Sequence, residues 1–174
     1  MPNSSVDWAG GVHRVFKDAG VSLAAYVPDG GLKDIIRHCD EDPDIRAVPL
    51  TNESEGPCLM AGAWLGGERS VLLMQGSGVG NCMNNFGITI AGNFPLLTIV
   101  TLRGSWGEGN PWMLYQGRTV VRMFDLAGFM VNVVERAEDV EDAVEAAAQT
   151  AFNASGRMAI ILSQRVTGAK KFKR

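Results

Sequence analysis

Residues 70–81 read Ser-Val-Leu-Leu-Met-Gln-Gly-Ser-Gly-Val-Gly-Asn. The first six are an uncharged, mostly apolar run of strand length. The three glycines then open a helix, so the stretch is a strand, a tight turn and a helix start. One strand earlier, Ala47-Val48-Pro49-Leu50 runs into Thr51-Asn52-Glu53. In an open parallel sheet, the loops at the carboxyl ends of the strands gather at one crevice. The reading therefore aims a glycine-rich loop and the Glu53 carboxylate at the same place.

Outward from this stretch the pattern repeats. Strands are predicted at 21–27, 45–50, 70–75, 95–102, 129–134 and 158–163. Helices are predicted from Ser4 or Ser5 to about Gly20, and at 32–39, 53–65, 81–91, 117–126 and 138–154. Gly104–Met113 reads as a long loop holding Trp106 and Trp112. Six strands alternating with helices imply one α/β domain, a six-stranded parallel sheet with helices on both faces. The strands are continuous apolar runs, as burial on both faces requires.

Composition sets limits. A chain of 174 residues has room for one domain with a real core. The net charge of −3 does not favour nucleic acid as a partner. The basic stretch Lys170–Arg174 is short and terminal, and reads as a solvated end. No apolar run is long enough to span a bilayer, and the amino terminus lacks the pattern of a secretory signal. Cys39, Cys58 and Cys82 are odd in number and form no CxxC pair, so reduced thiols in a cytoplasmic protein are expected.

The glycine loop fits no familiar phosphate motif fully. A dinucleotide fingerprint belongs on the first strand and needs an acid about 20 residues on, where this chain has Thr101-Leu102-Arg103. Gly80-Asn81-Cys82 lacks the Lys and Ser/Thr of a Walker loop, and Gln75 and Val79 break a nucleophile elbow around Ser77. A tight turn needing small residues is the plain alternative. For Glu53 the plain alternative is an acid favouring a helix amino terminus, a role Glu55 fills equally well. His13 and His38 fall inside predicted helices, so a histidine triad or metal site lacks parts.

Four segments carry a family resemblance. They are Tyr26–Asp34, Thr51–Gly56, Ala61–Gly67 and Leu73–Asn81, extended by Arg103-Gly104, Gly107-Glu108, Asn110-Pro111 and Gln116-Gly117-Arg118. Together they resemble the pyrimidine-binding domain of thiamine-diphosphate enzymes, and within it the sulfopyruvate decarboxylase alpha subunits and phosphonopyruvate decarboxylases. The likeness implies a pyrimidine-binding domain over 1–165, followed by a basic tail at 166–174. It places Glu53 at the cofactor-activating glutamate, whose carboxyl hydrogen-bonds a ring nitrogen of the aminopyrimidine. It implies cofactor contacts from Pro28, Asp29, Gly30, Gln75, Gly76, Ser77, Gly78 and Asn81. Substrate contacts fall to Asn52, Arg103 and Trp112.

The family's diphosphate domain carries a Gly-Asp-Gly motif with later Asn residues, which hold magnesium and the diphosphate. This chain has only Asp29-Gly30-Gly31, placed too early. The resemblance thus implies a homo- or hetero-oligomer in which a beta subunit supplies that half of the site and holds Mg2+. The expected activity is decarboxylation of a small 2-oxo acid, with no nucleic acid or membrane partner. The alternative is a non-catalytic ligand-binding or scaffold subunit of such a complex. Where phosphonopyruvate decarboxylases place a His after Pro-Gln, this chain has Pro111-Trp112-Met113, which implies a different or more apolar substrate.

Overall fold

A computed structural model describes residues 6–169. Its elements run α1 (Trp8–Asp18), β1 (Val21–Tyr26), α2 (Lys33–Glu41), β2 (Arg46–Pro49), α3 (Glu55–Leu65), β3 (Arg69–Gln75), α4 (Val79–Cys82), α5 (Phe86–Ala91), β4 (Leu96–Thr101), α6 (Pro111–Leu126), β5 (Met130–Val134), α7 (Val140–Ala154), β6 (Arg157–Leu162) and α8 (Gln164–Thr167). The strands form one sheet in the order β2-β1-β3-β4-β6-β5. Every neighbouring pair is parallel, as the alternating pattern predicts.

Side chains alternate across the strands, so each strand feeds two cores. Leu73, Ile99 and Ile160 face α1, α2 and α7 through Val12, Phe16, Ile35, Val144 and Ala148. Leu72, Val100 and Ile161 face the other layer, where Met60, Phe86 and Phe124 come from α3, α5 and α6. Phe86, Phe124 and Phe129 meet with ring centroids 4.7 to 5.7 Å apart. Truncating Phe124 to Ala there costs about 3–5 kcal/mol. The buried Thr98 hydroxyl on β4 donates to the Leu72 carbonyl at 2.8 Å, so it is satisfied inside the core.

Three boundaries differ from the sequence reading, each for a local reason. Helix α6 begins at Pro111, inside the expected loop, because the Asn110 side chain accepts from the Trp112 N–H at 3.1 Å and Pro111 occupies the first turn. The expected helix 81–91 breaks into α4 and α5. A turn over 83–85 separates them, where the Asn85 side-chain amide donates to the Ser54 carbonyl at 2.7 Å. Helix α3 begins at Glu55, which leaves Glu53 in the preceding turn. The short α8, not foreseen, follows β6 with the Ser163 side chain as its cap. The basic stretch Lys170–Arg174 lies outside the described residues.

The strand order has a consequence for ligands. The chain leaves β1 toward β2 on one side, and leaves β3 toward β4 on the other. The carboxyl ends of β1 and β3 therefore flank a topological switch point, where open α/β sheets bind ligands.

Candidate active site

Two hydrogen-bonded networks meet at that switch point. The first is centred on Asp29, two residues beyond Val27, which itself extends the β1 ladder by donating to the Leu73 carbonyl at 3.1 Å. Asp29 Oδ2 accepts from the Gly31 N–H at 3.1 Å and from the Thr101 hydroxyl at 2.8 Å. Its Oδ1 accepts from the Gln75 amide at 3.1 Å, and Gln75 Oε1 accepts from the Ser77 hydroxyl at 2.9 Å. One half-buried carboxylate thus ties the loop after β1 to the carboxyl ends of β3 and β4. Because its two oxygens take three donors, its charge is spread over neutral partners.

The second network holds Glu53. Asn81 Nδ2 donates to Glu53 Oε2 at 2.9 Å, and the Cys82 thiol donates to the Glu53 carbonyl at 3.1 Å. A Cβ on Gly78 would lie 2.2 Å from Glu53 Cγ and 2.6 Å from Oε1. Only glycine there lets the carboxylate lie against the Gly76–Gly78 turn. Oε1 has no hydrogen-bond partner among the described residues. Glu55, by contrast, turns back on its own loop and accepts from the Thr51 N–H and hydroxyl. The two acids are thereby separated: Glu55 closes the first turn of α3, and Glu53 faces the glycine turn.

A cleft of about 370 Å³ lies beside the first network, lined by Asp29, Gly30, Gly31, Thr101, Arg103 and residues 167–169. Arg103 Nε and Nη2 donate to the two oxygens of Glu108 at 2.9 and 2.8 Å, with side chains only 12% and 2% exposed. Burial acts to raise the Glu108 carboxyl. Donation from Arg103, the Asn110 N–H and Gln164 outweighs it, and holds that carboxyl below its ordinary range. Gly104, at φ +81°, runs so close to α6 that a Cβ would lie 1.8 Å from the Met113 carbonyl oxygen. That contact seats the 103–110 loop on the helix.

Of the residues expected from the sequence, Asp29, Gln75 and Ser77 join the first network, and Glu53, Gly78 and Asn81 the second. Gly76 lies between them, packed near the Thr101 carbonyl and Val120. Gly30 lines the cleft, and Pro28 sits exposed in the loop before it. Asn52 accepts from the Ser54 N–H at 2.9 Å, a local turn. Trp112 stands 75% exposed on the first turn of α6, outside both networks. Thr101, Glu108 and Gln164 were not picked out as site residues. Thr101 ends β4, Glu108 lies in the loop that follows it and Gln164 begins α8, so no single segment of sequence gathers them.

Other features lie elsewhere. His13 stacks on His38 at 5.5 Å and shares a hydrogen bond with Asp42 at 2.9 Å, on the α1–α2 side of the molecule. A second depression of about 240 Å³ lies between α1 and α7, near Arg69 at the amino end of β3. No helix among the described residues is long and apolar enough to cross a membrane. No group of three His, Cys, Asp or Glu among them is placed to hold a metal ion.

An all-parallel α/β domain with an acid and a glycine turn near its switch point is of the doubly wound class. The chain belongs to the sulfopyruvate decarboxylase alpha-subunit family. It is 31% identical over 116 residues to "sulfopyruvate decarboxylase subunit alpha" of Methanocaldococcus jannaschii, covering 66% of this chain and 69% of that one. The Methanococcus maripaludis protein of the same name is 28% identical over 152 residues, covering 87% and 91%. "Phosphonopyruvate decarboxylase" of Streptomyces viridochromogenes is 32% identical over 122 residues, 69% of this chain but only 31% of that relative. No family model matches. In fold the chain is similar to 2-oxoglutarate:ferredoxin oxidoreductase from Magnetococcus marinus, with a TM-score of 0.73 at 14% identity, over 93% of this chain and 29% of that one.

Proposed function

We propose that this chain is the alpha subunit of a two-subunit, thiamine-diphosphate-dependent decarboxylase of a 2-oxo acid, with Glu53 as the cofactor-activating carboxylate. The observation that carries the reading is the state of that carboxylate. Asn81 holds Oε2, while Oε1 has no partner among the described residues and lies against Gly78, which has no Cβ to fill the space. That vacant acceptor beside a cradle of glycine backbone fits a flat heterocycle with a ring nitrogen to receive a proton.

Bound thiamine diphosphate supplies the electron sink that loss of carbon dioxide from a 2-oxo acid needs. Glu53 holds and shares the proton at Oε1. Asn81 keeps the carboxylate turned toward the turn. Gly76 and Gly78 allow close approach, and Gln75 and Ser77 offer oriented polar atoms whose direction is set by Asp29. Pro28 and Gly30, in the loop after β1, are assigned to the cofactor as well. Arg103, Asn52 and Trp112 are assigned to substrate.

Magnesium and the diphosphate are assigned to a beta subunit, as the alpha-subunit names of the relatives support. Helices α3 and α5 pack together and leave Leu65, Ile88 and Ile90 exposed, and we assign the partner to these two helices. Co-expression with a neighbouring reading frame carrying Gly-Asp-Gly and Asn motifs tests the reading. The complex is expected to release carbon dioxide from a 2-oxo acid only with thiamine diphosphate and Mg2+ present. Equal release from the lone chain, or none from any 2-oxo acid by the complex, rejects it.

A further inference from the structure

Gln164 is 1% exposed, an unusual burial for a glutamine, and both ends of its carboxamide are hydrogen-bonded. Oε1 accepts from the backbone N–H groups of Ser105 at 3.2 Å and Trp106 at 3.0 Å. Nε2 donates to Glu108 Oε2 at 3.1 Å. One side chain at the end of β6 therefore pins three points of the loop that follows β4. Glu108 in turn receives one edge of the Arg103 guanidinium, through Nε and Nη2. The other edge, Nη1, donates to nothing among the described residues, and Arg103 lines the cleft beside Thr101 and Gly31.

A guanidinium with one edge committed to a buried carboxylate is a fixed fork. Its free edge keeps its direction, whereas an unbraced arginine would lose rotamer entropy on each binding event. A free N–H edge in a half-buried cleft selects an oxyanion. The Asp29 carboxylate lines the same cleft, but both its oxygens already accept hydrogen bonds.

We propose that Gln164, acting through Glu108, is a positioning residue that fixes Arg103 as the subsite for the second anionic group of a 2-oxo acid substrate, the group on C3 rather than the C1 carboxylate. This rests on the decarboxylase reading above. It distinguishes a three-carbon dianion, such as 3-sulfopyruvate, from pyruvate, which shares everything but that group.

The test is steady-state kinetics of the reconstituted complex on 3-sulfopyruvate and on pyruvate, for wild type, Gln164→Leu, Glu108→Gln and Arg103→Lys. Glu108→Gln leaves the Gln164 anchor on the loop in place, so it stands in if Gln164→Leu does not fold. Arg103→Lys keeps the charge but cannot engage Glu108 and an anion with one fork. In each variant KM for 3-sulfopyruvate is expected to rise at least about ten-fold more than KM for pyruvate, the worth of one hydrogen bond to a charged group. Equal changes for both substrates would place Arg103 at the common carboxylate or give Gln164 a structural role only, and overturn the proposal. No change in any variant overturns it too. If the complex turns over no 2-oxo acid, the decarboxylase reading fails. Calorimetric titration of the full chain with 3-sulfolactate against lactate then judges the subsite alone. Selective binding of the dianion that weakens at least about ten-fold in Glu108→Gln sustains it; no selective binding overturns it.

Discussion

Asn81 and Glu53, 28 positions apart, are joined by a 2.9 Å hydrogen bond that leaves one carboxylate oxygen committed and the other free. A neutral amide donor fixes the carboxylate without neutralising it, as a lysine or arginine would. Replacing Asn81 with Ala removes the brace and lets the carboxylate rotate. Turnover of the complex is expected to fall about ten-fold or more with little change in melting temperature, since the lost bond is exposed.

Glu53→Gln tests the acid itself. The amide is nearly isosteric, so fold and cofactor binding are expected to persist. It cannot share a proton as a carboxyl does, so turnover and exchange of the cofactor C2 proton are expected to slow by about 10²–10⁴-fold. Glu55→Gln is expected to do far less, because that acid is bound to Thr51 within its own helix start. Unchanged exchange in Glu53→Gln rejects the assignment, and a larger defect in Glu55→Gln selects the other acid.

Gly78→Ala probes the same carboxylate from the opposite side. The new Cβ meets Glu53 atoms at 2.2 to 2.6 Å, so the side chain must move away from the turn. The backbone at Gly78 has an ordinary helical φ of −76°, so the strain falls on Glu53 rather than on the chain. A displacement near 1 Å is expected to cost about 10²-fold in turnover. Retained turnover would mean that Glu53 works in a different position.

Glu108 makes stability pH-dependent. Its carboxyl is held below the ordinary value of 4.5 in the folded state, against the opposing effect of burial. A depressed folded value stabilises the protein above the unfolded value, and that contribution is lost as pH falls through the folded one. Melting temperature measured from pH 7 to about pH 3.5 is expected to fall more steeply in wild type than in Glu108→Gln. Parallel curves would show that the Arg103 pair adds nothing to folding.

The thiols offer a test of the fold. Burial pushes the Cys39 and Cys82 thiols up to about 12, with Asp42 and Glu53 adding to the effect. Cys58 is exposed on α3. Iodoacetamide at about pH 8 is expected to modify Cys58 alone in the native chain, and Cys39 and Cys82 only after denaturation, because a buried thiol supplies almost no thiolate. Rapid native labelling of Cys82 would mean that the Glu53 loop opens.

The exposed isoleucines of α5 bear on assembly. Ile88→Glu with Ile90→Glu places two charges on residues that are 44% and 48% exposed in the lone chain. The fold is expected to survive, since neither side chain is in the core. Co-purification of the beta subunit is expected to be lost, measured by size exclusion with light scattering. Undiminished pairing would put the partner elsewhere.

What the sequence determined by itself is whatever depends on neighbours in the chain. Continuous apolar runs such as Leu96–Thr101 specified buried parallel strands, and the glycines after Gln75 specified a tight turn at a strand end. The succession of strand and helix specified a doubly wound sheet, so the carboxyl-end loops could be named as one crevice. Even Asn110-Pro111 held the start of α6, though the glycines and tryptophans around it read as loop. What tertiary structure alone decided is which loops touch. Asp29 meets Thr101 across 72 positions, and Gln164 meets Glu108 across 56, because strand order places β1, β3, β4 and β6 side by side. Periodicity reports the face a residue occupies, not the partner across it. The surroundings of Glu53 and Glu55 diverge the same way: the strand end and the family resemblance single out Glu53 in the sequence, but only the fold packs Gly78 and Asn81 against it while Glu55 turns back on Thr51.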